Sequence, residues 1–276
     1  MPELPEVETV VRGVRSQLLS WNASKVHFYR NDLRFPIPKQ DIRKIAIGAT
    51  LKEVSRRSKY ILLHFDSGIL LIHLGMTGSL RIQSSSKPTA NHTHVIFSFS
   101  GPSGSQYLHY IDPRRFGYMD MIKGHDLNQS KHLAHLGVEP LACKNLGGHL
   151  LKTGSSKTKS IKSLIMDASV VVGIGNIYAC EALFLSGIHP ERACNSISKE
   201  QYQTLARNIK KTLKAAIKRG GTTLRDFQNL SGNFGYFKQE LSVYGRTNEA
   251  CHECGNKIQS IKQLGRTSWF CSHCQL

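Results

Sequence analysis

Acidic side chains are scarce in this chain. Only 19 Asp and Glu stand against 37 Lys and Arg in 276 residues, a formal net charge of +18 and an isoelectric point near 9.8. Such an excess steers association toward polyanions, with nucleic acid the first candidate and an anionic membrane surface the second. Long apolar runs are also missing: nothing approaches the roughly 18 residues of a membrane-spanning helix. The acid-bearing start MPELPEVETV has neither the basic region nor the apolar run of a secretory signal. A soluble intracellular protein is expected. The cysteines number seven, and an odd count without a secretory signal argues against a disulfide framework. What remains is ordinary for a globular chain, 40% hydrophobic and 20% charged, at a length that suits two domains or one with appendages.

Four of the cysteines form a pattern. Cys251 and Cys254 make one CxxC, Cys271 and Cys274 another, with 16 residues between them. Two such knuckles supply tetrahedral S4 coordination for one zinc ion, with no open position for catalysis. IKQLG and RTSWFC read as the strands of a hairpin turning near Gly265. A segment this short has little core of its own, so the metal would contribute folding energy. His252 and His273 lie inside the knuckles as possible substitutes, but four cysteines suffice. Arg266 projects near the turn, either as a solvated charge or as a phosphate ligand.

The first ten residues combine Pro2 and Pro5 with Glu3, Glu6 and Glu8. The plain reading is a helix over about 3–20, with Pro5 in its first turn and carboxylates at the positive end of its dipole. A start methionine before so small a residue is normally trimmed, which would leave Pro2 as a free secondary amine.

From about 130 to 228 the pattern is helical. Ser198 and Gln201 form a capping box ahead of a helix with Leu205, Ile209, Leu213, Ala216 and Ile217 on one face. Arg207, Lys210, Lys211, Lys214 and Lys218 lie on another, and Gly220-Gly221 ends it. Upstream, a helical stretch over about 161–167 precedes Gly173-Ile174-Gly175, and Asn176 opens a second helix ending near Gly187. Glycines before a helix N-terminus suit anion binding, but a structural cap by Asn176 is as good a reading. The segment KTGSSKTKSIK, with Lys152, Lys157, Lys159 and Lys162 and no acid, reads as a flexible basic linker. Residues 24–122 are mainly strand-like, with KYILLHF, GILLIHL, SLRIQ, HVIFSFS, QYLHYI and GYMDMI separated by turn residues, which suggests a two-layer β-sandwich. Lys59 stands at the start of one strand, His73 and Met76 around one turn, and Arg114, Arg115 and Phe116 in another. A lone Met or Phe on such a loop is ordinarily core, but Met, Arg and Phe on loops of a basic protein could also wedge into a base stack once a nucleotide has left it.

Taken in order, PELPEVET (2–9), SKYILLHF (58–65), HLGMTG (73–78), DPRRFG (112–117), VVGIGNIYACEALF (171–184), GIHPER (187–192), GYFKQELSVYGR (235–246) and the four-cysteine ribbon with RTSWFC resemble the bacterial formamidopyrimidine-DNA glycosylase family. The resemblance runs from residue 2 to residue 274, and PELPE favours this branch over the related endonuclease VIII branch, which opens PEGPE. It implies an α+β multidomain fold. An N-terminal catalytic β-sandwich with an N-terminal helix would span 1–128, and a linker with a first helix 129–160. A helix–two-turn–helix DNA-binding domain with a lesion loop would span 161–245, and a C-terminal zinc ribbon 246–276.

The same resemblance implies roles for individual residues. Pro2 would attack C1′ of a damaged nucleotide, Glu3 would move protons, Glu6 would be a supporting carboxylate and Lys59 a proton donor near the lesion. Arg266 would serve phosphate binding and δ-elimination. His92, Arg114, Lys157, Asn176 and His73 would contact DNA, and Met76, Arg114 and Phe116 would fill the void left by the everted nucleotide. Thr222 to Tyr236 would be the loop over the oxidised purine. Cys251, Cys254, Cys271 and Cys274 would hold the structural Zn2+. The implied protein is a monomeric bifunctional DNA glycosylase and apurinic/apyrimidinic lyase of base excision repair. It would act on double-stranded DNA bearing 8-oxoguanine or formamidopyrimidines, in the cytoplasm at the bacterial nucleoid and without a membrane partner. The alternatives are the same chemistry on oxidised pyrimidines, and a noncatalytic zinc protein that binds DNA.

Overall fold

The structure, a computed structural model, describes residues 1–221 and 241–276. Chain contacts divide it into two compact units. One holds residues 1–134 with 219–221, the other 135–218 with 241–276.

In the first unit, α1 (Leu4–Leu18) leads into two four-stranded antiparallel sheets. The strands are β1 (Asn22–Phe28), β2 (Glu53–Arg57), β3 (Tyr60–Phe65), β4 (Gly68–His73), β5 (Ser79–Gln83), β6 (Thr93–Gly101), β7 (Gly104–Ile111) and β8 (Tyr118–Lys123). One sheet runs β1-β6-β7-β5 and the other β2-β3-β4-β8. Alternation along β3 and β4 turns Ile61, Leu63, Phe65, Leu70 and Ile72 to one face. There they share a core with Val95, Phe97, Phe99, Leu108 and Tyr110 of the other sheet and with Val7, Val10, Val11, Val14 and Leu18 of α1. The sandwich expected from the strand spacing is present. An element absent from that reading is α2 (Lys39–Ala46), which follows Pro38. It carries Asp41 in its first turn and Arg43 and Lys44 in its last, and buries Ile42, Ile45 and Ala46. At eight residues its period was hidden among the strand signals around it.

The second unit is helical, with α3 (Leu146–Gly154), α4 (Ile161–Ile165), α5 (Asn176–Leu185) and α6 (Lys199–Lys218), followed by the hairpin β9 (Gln259–Gln263) and β10 (Arg266–Phe270). The box ahead of α6 is made as its sequence predicts. Ser198 N donates to Gln201 Oε1 at 3.0 Å and Gln201 N to Ser198 Oγ at 3.2 Å. The lysine-rich segment is not a flexible linker. Lys152 lies in the last turn of α3, Ser160 caps α4 and Lys159 pairs with Asp167 at 3.0 Å. Among the described residues no helix is long and apolar enough to cross a membrane.

Candidate functional site

The N-terminus is anchored by its own side chains. Glu3 is the N-cap of α1, and Glu6 Oε2 accepts from Glu3 N at 2.8 Å, closing a capping box around the first turn. Pro2 is buried, and Glu3 and Glu6 are only 4% and 1% exposed. Gly221 lies against Glu6, and its φ of +89° favours glycine there.

Two rungs fix where Lys59 stands. Arg15 Nε donates to Val54 O at 3.0 Å, and Arg56 Nε to Glu8 Oε2 at 3.0 Å. Moving from Arg15 to Glu8 climbs α1 toward its start, while Val54 to Arg56 runs along β2 toward its end. The two-residue turn Ser58-Lys59 therefore lies at the end of α1 that carries Pro2. Burial alone would raise the Glu8 pKa, but the guanidinium groups of Arg12 and Arg56 outweigh it and keep the carboxyl below its usual range. Lys59 itself is half-buried. Burial, with the charges of Lys59 and Arg34, pushes the His73 imidazole down to about 4, so His73 is neutral at physiological pH and its Nδ1 accepts from Gly75 N at 3.0 Å.

His73 ends β4 and opens the loop carrying Met76. The loop carrying Arg114 and Phe116 lies against it. A Cβ on Gly75 would fall 2.4 Å from Phe116 C and Gly117 N, and one on Gly117 would fall 2.5 Å from His73 O. Only glycine allows this approach. Asp112, fully buried, organises both loops: Oδ1 accepts from Thr77 Oγ1 at 2.7 Å and Oδ2 from Gly117 N at 2.8 Å. Met76 and Phe116 are left 41% and 43% exposed, and the Arg114 guanidinium sits 4.7 Å over the Phe116 ring. His92, exposed with φ of +64°, joins the same cluster, its carbonyl accepting from Asp112 N at 3.1 Å.

In the second unit Asn176 is neither a side-chain cap nor an isolated ligand. Gly175 is the N-cap of α5. Asn176 Oδ1 accepts from Lys162 Nζ at 2.6 Å, and its Nδ2 donates to Thr267 O at 2.8 Å. Lys162, 3% exposed, also donates to Ser268 Oγ at 2.6 Å. A buried cation thus joins the start of α5 to β10, one residue from Arg266. Arg266 is exposed beside the turn Leu264-Gly265, whose φ angles of +50° and +72° suit a tight hairpin. Lys157 is half-buried, its backbone held by Gly154 O at 2.8 Å and Asn195 N at 2.9 Å.

The four Sγ atoms of Cys251, Cys254, Cys271 and Cys274 lie within 4.8 Å of one another, with contacts of 3.9 and 3.5 Å. Tetrahedral zinc with bonds of about 2.3 Å requires sulfur separations of about 3.8 Å, so the donor set fits zinc. His252 and His273 are exposed and outside this cluster.

Residues 1–119 match the model of the formamidopyrimidine-DNA glycosylase N-terminal domain, 136–228 that of its H2TH domain and 248–276 that of a zinc finger found in FPG and IleRS. This chain belongs to the formamidopyrimidine-DNA glycosylase family. It is 46% identical to the formamidopyrimidine-DNA glycosylase of Legionella pneumophila strain Philadelphia 1, over all of this chain and 98% of that one. With that of Methylococcus capsulatus it shares 44% over the full length of both. Among solved structures it is similar to Lactococcus lactis Fpg in complex with N7-benzyl-Fapy-dG DNA, with a TM-score of 0.89 and 32% identity over 99% of each chain. It also resembles MutM (Fpg) of Thermus thermophilus, with a TM-score of 0.86 and 32% identity over 99% of this chain and 98% of that one. As a family member it is a DNA glycosylase with a zinc finger.

Three supporting residues of this glycosylase lie within quoted motifs or segments but were given no role by the motif reading. Asp112 and Lys162 are described above. Glu181, 4% exposed on α5, accepts from Ser242 N at 2.8 Å, Val243 N at 3.0 Å and Tyr244 N at 2.9 Å. Glu181 is a lone charge within an apolar stretch (YACEALF), and Asp112 and Lys162 each border one (LHYI and SLIM). A buried charge must be matched by partners, and that pattern is the signal that could have found them. The expected loop Thr222 to Tyr236 lies outside the described residues.

Proposed function

We propose that this family member excises oxidised purines, 8-oxoguanine and formamidopyrimidines, from double-stranded DNA and then cleaves the strand at the abasic site. The observation that carries the reading is the start of α1, where Pro2 and Glu3 are buried and the Glu3 amide is held by Glu6 at the helix end that Lys59 also approaches. With Met1 removed, the Pro2 nitrogen is a secondary amine. It attacks C1′, the glycosidic bond breaks, and the sugar ring opens to an iminium. An iminium from a secondary amine has no N–H to lose, so it stays cationic and draws electrons from C2′. Loss of a C2′ proton then expels the 3′ phosphate, and a second elimination expels the 5′ phosphate. Glu3 moves these protons, Glu6 fixes Glu3, and Lys59 donates near the departing base.

Met76 and Phe116 fill the void in the duplex, and Arg114 faces the orphaned base. His73, His92, Lys157, Asn176 and Arg266 hold phosphates, with Arg266 also serving the second elimination. Zinc, when bound by its four thiolates, supplies folding of the ribbon alone. The net charge of +18 supports a monomer acting on nucleoid DNA, with binding that weakens steeply with salt. Borohydride trapping tests the mechanism. The protein with an 8-oxoguanine duplex should give a covalent adduct that is lost in Pro2→Gly, and absence of an adduct from the parent protein would sink it. Turnover of a thymine glycol duplex in parallel distinguishes a preference for oxidised pyrimidines.

A further inference from the structure

Strand register places three rings in one row at the loop-bearing edge of the β2-β3-β4-β8 sheet. Tyr60 pairs with His73 and His73 with Tyr118. Directly paired residues share a sheet face, and alternation puts this row on the face opposite Ile61 and Ile72, outside the sandwich core. Each ring adjoins a loop of the proposed site: Tyr60 follows Lys59, His73 precedes the Met76 loop, and Tyr118 follows Phe116-Gly117.

Tyr118 is held on every side. His73 stacks on it at 5.1 Å and 22°, His132 lies at 4.8 Å, and Phe35 meets it edge-on at 5.3 Å. Its hydroxyl is 3.1 Å from the Tyr60 hydroxyl and 3.4 Å from His132 Nδ1, while His132 Nε2 is 3.0 Å from Asp120 Oδ2. Asp120 lies two residues along β8 on the same face. Packing alone does not require these polar atoms; a phenylalanine would fill the ring's space.

We propose that Tyr118, braced by His132 and Asp120, is a positioning residue for the void-filling side chains Met76 and Phe116. This rests on the wedge role assigned to those two above. The path has no slack. Gly117 joins Tyr118 to Phe116, its amide is fixed by Asp112 Oδ2, and the backbone of Gly75 lies too close to admit a Cβ. A displacement of the Tyr118 ring therefore moves Phe116 directly and Met76 through Gly75, because close-packed backbone transmits displacement rather than absorbing it. The hydroxyl–imidazole–carboxylate chain sets the ring's in-plane position, which stacking alone leaves free to slide.

The test places 2-aminopurine opposite 8-oxoguanine, so that insertion of the wedge unstacks the probe and raises its fluorescence. Tyr118→Phe and His132→Ala should each lower the amplitude at least threefold, and the double variant should lose little more. His132→Gln, which keeps polar atoms at the same reach, should restore at least half of the signal. Borohydride trapping on a single-stranded abasic oligonucleotide, where there is no void to fill, should stay within twofold of the parent. A full signal in Tyr118→Phe together with a lost signal in Phe116→Ala overturns the positioning role and leaves the wedge standing. A full signal in Phe116→Ala overturns the wedge and the proposal with it. Loss of single-strand trapping in Tyr118→Phe and His132→Gln alike would place these groups in the chemistry instead, and also overturns the proposal.

Discussion

Lys162 Nζ donates to Asn176 Oδ1 across 2.6 Å, and Asn176 then donates to the carbonyl of Thr267 at 2.8 Å. The residue that opens α5 and the strand that begins with Arg266 are held by one buried cation. Lys162 lies five residues along the chain from Lys157, the lysine expected to meet phosphate.

Lys162→Met should remove that junction. It leaves Asn176 Oδ1 and Ser268 Oγ without their donor, and breaking such a buried network costs about 3 kcal/mol. That corresponds to a fall in Tm of roughly 6–12 °C for a chain of this size. Binding to lesion duplex should weaken about tenfold, or about 1.4 kcal/mol, while metal analysis still finds one zinc per chain. Calorimetry, fluorescence anisotropy and the metal analysis together check all three; wild-type affinity at a lowered Tm would confine Lys162 to stability.

Glu6→Ala should act on both the cap and the chemistry. Losing a helix cap costs about 1 kcal/mol, and releasing Glu3 N frees the first turn. Schiff-base formation should slow about tenfold or more, since small misplacements of reacting groups are costly. Single-turnover trapping measures it, and a larger loss of Tm than of rate would contradict the assignment.

Acid should destabilise the first unit through His73. Its pKa is about 4 in the folded state against 6.5 for the ordinary imidazole. As pH falls through 6.5 the unfolded chain takes up a proton that the native site refuses until about 4. The stability is complete above pH 6.5 and is lost progressively down to pH 4, a total of about 3 kcal/mol from this group. His94 and His109, also lowered chiefly by burial, add in the same direction. Urea midpoints between pH 4 and 8 give the slope, which His73→Asn should flatten. The His73 ring resonance should not titrate between pH 6 and 8.

Removing zinc should be visible through one tryptophan. The chain has two, Trp21 and Trp269, and Trp269 packs on Tyr244 at 4.4 Å and donates to Thr247 Oγ1 at 2.9 Å. In a Trp21→Phe background, chelation should red-shift the emission and weaken DNA binding at least tenfold, or about 1.4 kcal/mol, with the β-sheet signal in circular dichroism retained. Unchanged emission from demonstrably metal-free protein would contradict a structural role.

Much of this was legible in the sequence because local rules carry it. The CxxC pairs, the Ser198–Gln201 box and the Gly265 turn each depend on neighbours a few residues apart, and each has its expected geometry. Helix α2 was not legible, since eight residues hold barely two turns of period. The partners of Asn176 were not legible either. Thr267 lies 91 residues away in the chain, and no spacing rule predicts a contact made by tertiary packing. The row Tyr60, His73, Tyr118 needed the strand register, which a one-residue slip would have scattered over both faces.

The capping box at the start of α1 has a kinetic consequence. Glu3 and Glu6 order the first turn from within the chain, so the proposed nucleophile is already immobilised before any duplex arrives. Its conformational entropy is lost during folding rather than in the encounter. Discrimination between damaged and intact DNA then falls to the substrate's side of the equilibrium, to how readily a given nucleotide leaves the helix, and not to assembly of the group that attacks it.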